Sequence, residues 1–207
     1  MPEPTNGKNE HNLEDSEGFE DWLVKLRRGE TTEVTEFVSI YEPYVRRALR
    51  FRLQRAALQS VADSMDVCQS VLGGFLIRLA AGDYEIASVE ELRGLLVAIA
   101  QKKFLHLNRR ETAAKRNHLR NTPMEQLHEL PERAESDPAA IALIADMFEQ
   151  AESRLSPKLL EVFRMRRKGF KWDEIVEKTG GDSSVLRKQL SRAIQQISQE
   201  LGLGSEP

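Results

Sequence analysis

The stretch 171-KWDEIVEKTGGDSSVLRKQLSRAIQQI-197 carries two apolar patterns with helical spacing, one on each side of a Gly-Gly-Asp turn. In the second arm, large apolar residues recur at every third or fourth position, as on the buried face of an amphipathic helix. A glycine permits positive φ in the turn, and either Asp182 or Ser183 can cap the second helix. A helix, a tight turn and a longer helix predict a helix-turn-helix, in which the second helix enters the major groove of DNA.

The polar face of the second helix is basic. No acidic residue occurs from position 183 to position 199, whereas ordinary solvated helices mix the two signs of charge. Hydroxyl and amide groups on this face can pair with phosphates or base edges. A plain solvated surface is the alternative to DNA contact. The residues predicted to contact DNA are Ser184, Arg187, Lys188, Ser191 and Arg192.

The composition of the 207-residue chain excludes several classes of protein. Hydrophobic residues make up 40% and charged residues 30%, which is ordinary for a soluble, helix-rich protein. No apolar run approaches the roughly 20 residues of a membrane span, and the N-terminus lacks the features of a signal peptide. The single cysteine, Cys68, cannot form an internal disulfide. A reducing, cytoplasmic location is therefore expected.

The net charge of −3 conceals a strong segregation of charge along the chain. Residues 94–120 hold seven bases and one acid, and residues 121–153 hold eight acids and one base. From residue 154 to the end there are eleven bases and seven acids. Blocks of opposite sign predict basic surfaces separated by an acidic connector.

Helical periodicity without any strand pattern predicts an all-α protein of two helical domains. Pro43 lies inside an apolar-striped helix, where it predicts a kink or a break. Gly73 and Gly74 lie inside a helix predicted from about residue 64 to residue 80. Such a pair indicates either the close approach of another helix or a local break. The predicted units are a disordered tail (1–18), an N-terminal domain (19–120), an acidic linker (121–136), a C-terminal helix-turn-helix domain (137–203) and a tail (204–207).

Three helix starts are marked in the sequence, and one of them is Asp137-Pro138, with Asp as the cap and Pro at the first helical position. Ser88 and Glu91 form a capping box, and Ser156-Pro157 is a further start signal, with proline at the first helical position. The helix that Ser88 begins is apolar nearly all round from residue 95 to residue 100. This predicts that it lies at the centre of the core.

Three motifs in order resemble those of one protein family. They are "DSMDVCQSVLGGFL" (63–76), "ELRGLLVAIAQKKFLHLNRRETAAKR" (91–116) and "LSPKLLEVFRMRRKGFKWDEIVEKTGGDSSVLRKQLSRA" (155–193). With them, the chain from about residue 19 to residue 203 resembles bacterial RNA polymerase sigma factors of the extracytoplasmic-function (ECF) type, in a subgroup with Lys in the basic helix of region 2. The resemblance implies a region 2 helical bundle, a region 4 helix-turn-helix and a linker between them. It also implies a non-enzymatic subunit that gives the polymerase promoter specificity.

The resemblance implies a polymerase contact on the helix of the first motif. Asp63, Asp66 and Gln69 would dock on the clamp helices of the largest polymerase subunit. Asp66 and Gln69 are three residues apart, on one face and off the apolar stripe, so they are placed to pair with basic partner residues. Helix capping by Asp63 and surface solubility from Asp66 are the alternatives.

The basic helix of the second motif would hold the minus-ten promoter element, and the helix-turn-helix would read the minus-thirty-five element. Extruding a base there costs a few kcal/mol of unstacking, which neutralisation of the DNA backbone and a pocket for the base must offset. Ring side chains are few nearby, and core packing is the expected role of Phe104. The residues of this helix predicted to bind DNA are Lys102, Lys103, Arg109, Arg110, Lys115 and Arg116.

The expected partners are core RNA polymerase, promoter DNA and an anti-sigma protein of the kind that commonly holds such factors. No cofactor, metal or membrane contact is expected, and the free chain is expected to be monomeric. The acidic linker either crosses the RNA exit path of the polymerase or, as we favour, is a solvated tether. The alternative function is a stand-alone helix-turn-helix transcription regulator whose N-terminal domain binds a ligand or dimerises. An enzyme is disfavoured, because the histidines are scattered and no nucleophile or phosphate-loop motif occurs.

Overall fold

The structure is a computed structural model that describes the backbone of residues 16–55, 61–114 and 138–203, with the side chains of 18–49, 66–106 and 138–203. Every regular element within these ranges is an α-helix, which confirms the predicted all-α class for this part of the chain. None of these helices is long and apolar enough to cross a membrane. In chain order they are α1 (Ser16–Arg28), α2 (Thr31–Arg55), α3 (Val61–Ala81), α4 (Val89–Ala114), α5 (Pro138–Arg154), α6 (Pro157–Arg167), α7 (Trp172–Thr179) and α8 (Ser183–Glu200).

The first three helices pack around a row of aromatic rings. Trp22 of α1 contacts Phe37 of α2 with ring centroids 6.4 Å apart, and Phe37 contacts Phe75 of α3 at 5.3 Å. Trp22 Nε1 also donates a hydrogen bond to Glu36 Oε2 at 3.0 Å. α2 continues through Pro43, so the break that was one of the two predicted outcomes there is wrong.

α3 is the central helix of the described structure. Every residue from 71 to 77 is buried, and α3 packs against α1, α2, α4, α5, α6 and α8. α4 lies beside it, with Leu96 and Ala100 buried and Ala98 exposed. The prediction that the apolar stretch of α4 lies at the centre of the core is therefore wrong, because α3 fills that place.

The capping box predicted at the start of α4 forms in a shifted version. Ser88 Oγ accepts a hydrogen bond from the backbone N–H of Glu91 at 3.2 Å, as predicted. The Glu91 carboxylate accepts from the N–H of Ala87 at 2.8 Å, one residue before the N-cap. Both contacts satisfy amide groups at the entrance of the helix. They anchor the end of the loop that joins α3 to α4.

α6, α7 and α8 pack around a small apolar centre. Phe163, Ile175 and Leu190, one from each helix, are fully buried there. α6 begins at Pro157 as predicted, preceded by Ser156 in an extended conformation that makes no side-chain capping bond. The start of α6 is therefore set by Pro157, whose fixed φ suits the first helical position, and not by a capping bond from Ser156.

A shared carboxylate joins α5 to α6. Glu152 accepts hydrogen bonds from Arg164 Nε and Nη2 at 3.0 and 2.8 Å, and from Arg167 Nη1 at 2.7 Å. Bonds between ionised groups with two parallel donors are stronger than neutral ones. They set the position of α6 relative to α5.

The glycine pair of α3 is where the N-terminal and C-terminal helices meet. A Cβ at Gly74 would lie 2.8 Å from the backbone carbonyl oxygen of Leu203, and one at Gly73 would run into the side chain of Met147. The predicted close approach of a helix is seen at Gly73, through the Met147 side chain of α5, whereas Gly74 meets the segment that follows α8. The alternative of a local break is wrong because α3 runs through both positions. We call α1–α4 the N-terminal half and α5–α8 the C-terminal half. Buried side chains from both halves form one continuous core.

The division into two domains stays a prediction. The acidic linker, residues 121–136, lies outside the described residues, as do residues 1–15 of the predicted N-terminal tail and the tail 204–207. α1 begins at Ser16, three residues before the predicted start of the N-terminal domain at residue 19.

Candidate nucleic-acid interface

The two helices and the turn predicted from residues 171–197 are present as α7, a turn over residues 180–182, and α8. Gly180 and Gly181 adopt φ values of 70° and 103°, a region that side chains rarely tolerate. Asp182 is the N-cap of α8, where its carboxylate accepts from the N–H of Val185 at 3.0 Å. Of the two capping candidates in the sequence, Asp182 is the one used.

The hydroxyl of Ser184 belongs to the same cap. It donates a hydrogen bond to Asp182 Oδ1 at 2.6 Å. This bond, together with the one from Val185 N–H, holds the pKa of Asp182 below its ordinary value. A phosphate oxygen only accepts hydrogen bonds, so Ser184 must give up its bond to the cap before it can donate to DNA.

The predicted basic face of α8 is brought together on one side of the helix. Arg187, Lys188 and Arg192 are exposed, and Ser191 is half-buried. Val185, in the first turn, adds an apolar side chain that is 48% exposed. The opposite face of α8 is buried in the core described above, which leaves this one for an external partner.

A loop from the N-terminal half lies against part of this basic face. We call residues 83–87, between α3 and α4, the acidic loop. Glu85 Oε1 lies 3.8 Å from Arg187 Nη2, and the Asp83 carboxylate lies near the hydroxyl of Ser191. Burial raises the pKa of Asp83, and the nearby Ser191 hydroxyl opposes that shift. Sequence reasoning missed these acids, because a loop sequence does not indicate which helix the loop faces.

Two further arginines lie beside the basic face and were also missed. The guanidinium of Arg166 on α6 stacks over the ring of Trp172, 5.0 Å from its centroid. Burial lowers the pKa of Arg166, and the nearby charges of Arg27 and Arg187 lower it further. Three guanidinium groups therefore share one region, with Glu85 as a neighbouring carboxylate. Arg166 belongs to the basic run at the end of α6, and Arg27 to the basic last turn of α1.

Lys102 and Lys103, the two predicted basic residues of α4 whose side chains the structure describes, do not share one surface. Lys102 is exposed, whereas Lys103 is buried and donates a hydrogen bond from Nζ to the backbone carbonyl of Gly202. In this structure Lys103 connects α4 to the segment that follows α8, so it does not lie with Lys102 on the solvent side. Phe104 is buried, in agreement with the core role expected for it.

Five predicted site residues fall where the structure gives no side chain. Asp63 lies on the backbone of α3, and Arg109 and Arg110 lie on the backbone of α4. Lys115 and Arg116 lie outside the described residues. Their predicted contacts with polymerase or DNA stay predictions.

The remaining residues of the predicted polymerase contact lie near the start of α3. Asp66 is exposed and Gln69 is half-buried. At 1.5 Å per residue, Asp66 lies about 22 Å along α3 from the end that carries the acidic loop. The candidate polymerase contact and the basic face of α8 are therefore well separated along this helix.

Comparison of the chain with protein-family models, with curated proteins and with solved structures found no match. The proposed function therefore rests on the residues, on their geometry and on the resemblance of the three sequence motifs.

Proposed function

We propose that this chain is a sigma factor, which binds core RNA polymerase and directs promoter recognition and DNA melting at the start of transcription. The observation that carries the proposal is the α7–α8 hairpin, in which a glycine turn joins a short helix to a longer one with an exposed basic face. A helix of this kind, presented on a rigid hairpin, suits the major groove of duplex DNA.

The side chains of α8 supply two kinds of DNA contact. Arginine guanidinium groups such as those of Arg187 and Arg192 can bind phosphates or pair in bidentate fashion with guanine. Lys188 adds a point charge for the DNA backbone, which makes binding dependent on salt. Val185 offers an apolar contact of the type made with the methyl group of thymine.

The proposed docking on polymerase uses α3. Asp66 presents an exposed carboxylate near the start of that helix, as expected for a contact with a basic surface on a partner protein. The resemblance of this helix to the polymerase-binding helix of ECF sigma factors is the reason to assign the partner. In the same way, the exposed Lys102 supports a role for α4 beside the melted strand.

The test is reconstituted transcription with core RNA polymerase on fragments of the source genome. We expect Arg187→Ala with Arg192→Ala to reduce initiation about tenfold or more, because two charged DNA contacts are removed. Binding to core polymerase should be unchanged. The control, Lys158→Ala with Lys168→Ala, removes two exposed charges from the first turn of α6 and from its C-cap and should leave initiation intact.

A second variant separates the two functions of a sigma factor. Asp66→Arg should weaken binding to core polymerase in a pull-down, since it reverses the charge of the proposed contact, and Glu149→Arg on the exposed side of α5 is its control. A protein that binds promoter DNA tightly on its own and ignores core polymerase would instead be a stand-alone regulator.

A further inference from the structure

The face of α8 assigned to DNA by the proposed function is already in contact with another part of the same chain. The acidic loop places Glu85 beside Arg187 at 3.8 Å. It also places the Asp83 carboxylate near the hydroxyl of Ser191. Arg187, one of the five residues predicted to bind DNA on α8, thus has an acidic partner in the acidic loop, and Ser191 lies near a second acid of that loop.

The position of the loop is fixed by the packing of α3 against the C-terminal helices. Gly74 lies under the backbone carbonyl of Leu203, and Gly82 leaves room for the guanidinium of Arg166. Lys103 donates to the carbonyl of Gly202 from α4. These contacts join the two halves on both sides of the loop, at the last helix and at α6.

The ion pair itself is too exposed to hold the two halves together. The Arg187 and Glu85 side chains are 52% and 89% exposed, and such pairs contribute little to stability. The apolar packing around the glycine pair holds the arrangement, and the loop supplies negative charge and bulk at the basic face. We call this arrangement the closed arrangement.

The loop and a DNA duplex compete for the same place. The major groove is about 12 Å wide and admits a single helix with its side chains, so a second segment packed on that helix obstructs entry. Carboxylates beside Arg187 and Ser191 also repel the phosphates that would occupy similar positions. Duplex DNA can therefore reach α8 only after the acidic loop has moved away from that helix.

We propose that the acidic loop is an intramolecular occupant of the DNA-binding face of α8, so that the free chain masks its own helix-turn-helix in the closed arrangement. The inference rests on the proposed function. The exposed position of Asp66 on α3 leaves the candidate polymerase contact accessible in the same arrangement. Masking therefore restricts DNA binding by the free chain without restricting its docking on polymerase.

The first experiment measures the affinity of the full chain for a 30-base-pair duplex of random sequence by fluorescence anisotropy at low salt. Asp83→Asn with Glu85→Gln should bind about three- to tenfold more tightly than the unchanged chain, because more of it has α8 accessible. Adding Arg187→Ala to this variant should reverse the gain. Glu20→Gln with Glu149→Gln removes the same charge from exposed positions on α1 and α5. Equal gains for the two pairs would overturn the masking, since the effect would then be one of net charge.

The second experiment measures the distance between the two halves directly. Spin labels at Glu90→Cys on α4 and Glu177→Cys on α7 report it by pulsed electron paramagnetic resonance. Cys68 stays unlabelled, because it is fully buried. We expect one narrow distance distribution for the free chain and a longer one with duplex DNA or core polymerase and DNA. An unchanged distribution in saturating DNA overturns the masking.

The two proposals fail in different ways. If the chain and all its variants bind neither duplex DNA nor core polymerase while the labels report the narrow distribution, the proposed function fails and the masking fails with it. If polymerase-dependent initiation is observed but the loop variants bind duplex like their control, only the masking is wrong.

Discussion

Asp182 determines where α8 begins, through bonds that the sequence only partly indicated. Its carboxylate accepts from the Val185 amide and from the Ser184 hydroxyl. The φ values of Gly180 and Gly181 bring it to that position. At the scale of single residues, the start of the candidate DNA-binding helix therefore depends on two glycines, one carboxylate and one hydroxyl.

The cap gives a pH dependence whose sign follows from the pKa of Asp182. The bonds from Ser184 and Val185 lower that pKa in the folded chain. The stabilisation is therefore fully present above the ordinary Asp value of about 3.9 and is lost as the pH falls through the lower folded value. Asp182→Ala should lower the melting temperature by a few degrees at pH 7. The difference in melting temperature between this variant and the unchanged chain should become smaller below about pH 4.

The measurement is thermal unfolding followed by circular dichroism between pH 7 and pH 3. Glu177→Ala, an exposed acid in the second turn of α7, is the control and should show no such pH-dependent gap. A gap for Asp182→Ala that is the same at pH 7 and at pH 3 would contradict the assigned role of the carboxylate.

At the scale of helices, the carboxylate of Glu152 connects α5 to α6. Its side chain is only 19% exposed, and it accepts bonds from Arg164 and Arg167. Glu152→Gln removes the charge that both guanidinium groups require. We expect a loss of about 1–3 kcal/mol in the free energy of unfolding, because a partly buried arginine loses its partner.

Urea unfolding of Glu152→Gln and of Glu149→Gln checks this expectation. Glu149 lies on the same helix but is exposed, so its substitution should change stability by less than about 0.5 kcal/mol. Similar losses in the two variants would show that the effect belongs to the charge of α5 and not to its contact with α6.

The helices could be predicted from the sequence, because each buries one face and periodicity reports a buried face directly. The stripe of Val67, Val71 and Phe75 on α3 is buried as its spacing predicted. Periodicity does not report which neighbour covers the face. For this reason α4 was expected at the centre that α3 occupies, and the destination of Lys103 was missed.

The candidate site shows the same limit. The basic face of α8 could be predicted because Arg187, Lys188 and Arg192 lie on one helix, and helical geometry alone brings them together. The acidic loop lies about a hundred residues earlier in the chain. Its contact with Arg187 depends on packing between the halves, which no local pattern encodes. The segment that covers a binding face is thus harder to predict from the sequence than the residues that form that face.

At the scale of the whole molecule, the packing of α3 on the C-terminal helices requires glycine. Gly74 is the strictest position, since the neighbour of a Cβ there is the Leu203 backbone and not a flexible side chain. Leu203 is itself fixed, because its N–H donates to the Ser198 carbonyl at 2.7 Å. The contact between Gly74 and the Leu203 backbone, which is the joint between the two halves, therefore cannot readily adjust to a larger residue at position 74.

Gly74→Ala and Gly94→Ala form a matched pair that tests this joint. Both glycines are interior to helices, where alanine is favoured by up to about 1 kcal/mol, and a Cβ at Gly94 meets nothing within 4 Å. Gly94→Ala should therefore stabilise the chain. Gly74→Ala should destabilise it, because overpacking costs about 1–3 kcal/mol and exceeds the gain in helix preference.

Urea unfolding gives the two free energies, and hydrogen exchange locates the damage. In Gly74→Ala, the amide protons of Gly202 and Leu203, which donate to Gln199 and Ser198, should exchange faster than in Gly94→Ala. The loosened joint should also free the basic face of α8, so duplex DNA should bind Gly74→Ala more tightly. If Gly74→Ala stabilises the chain as much as Gly94→Ala and leaves those amides protected, α3 does not hold the C-terminal segment closely. The halves then need some other contact to stay closed.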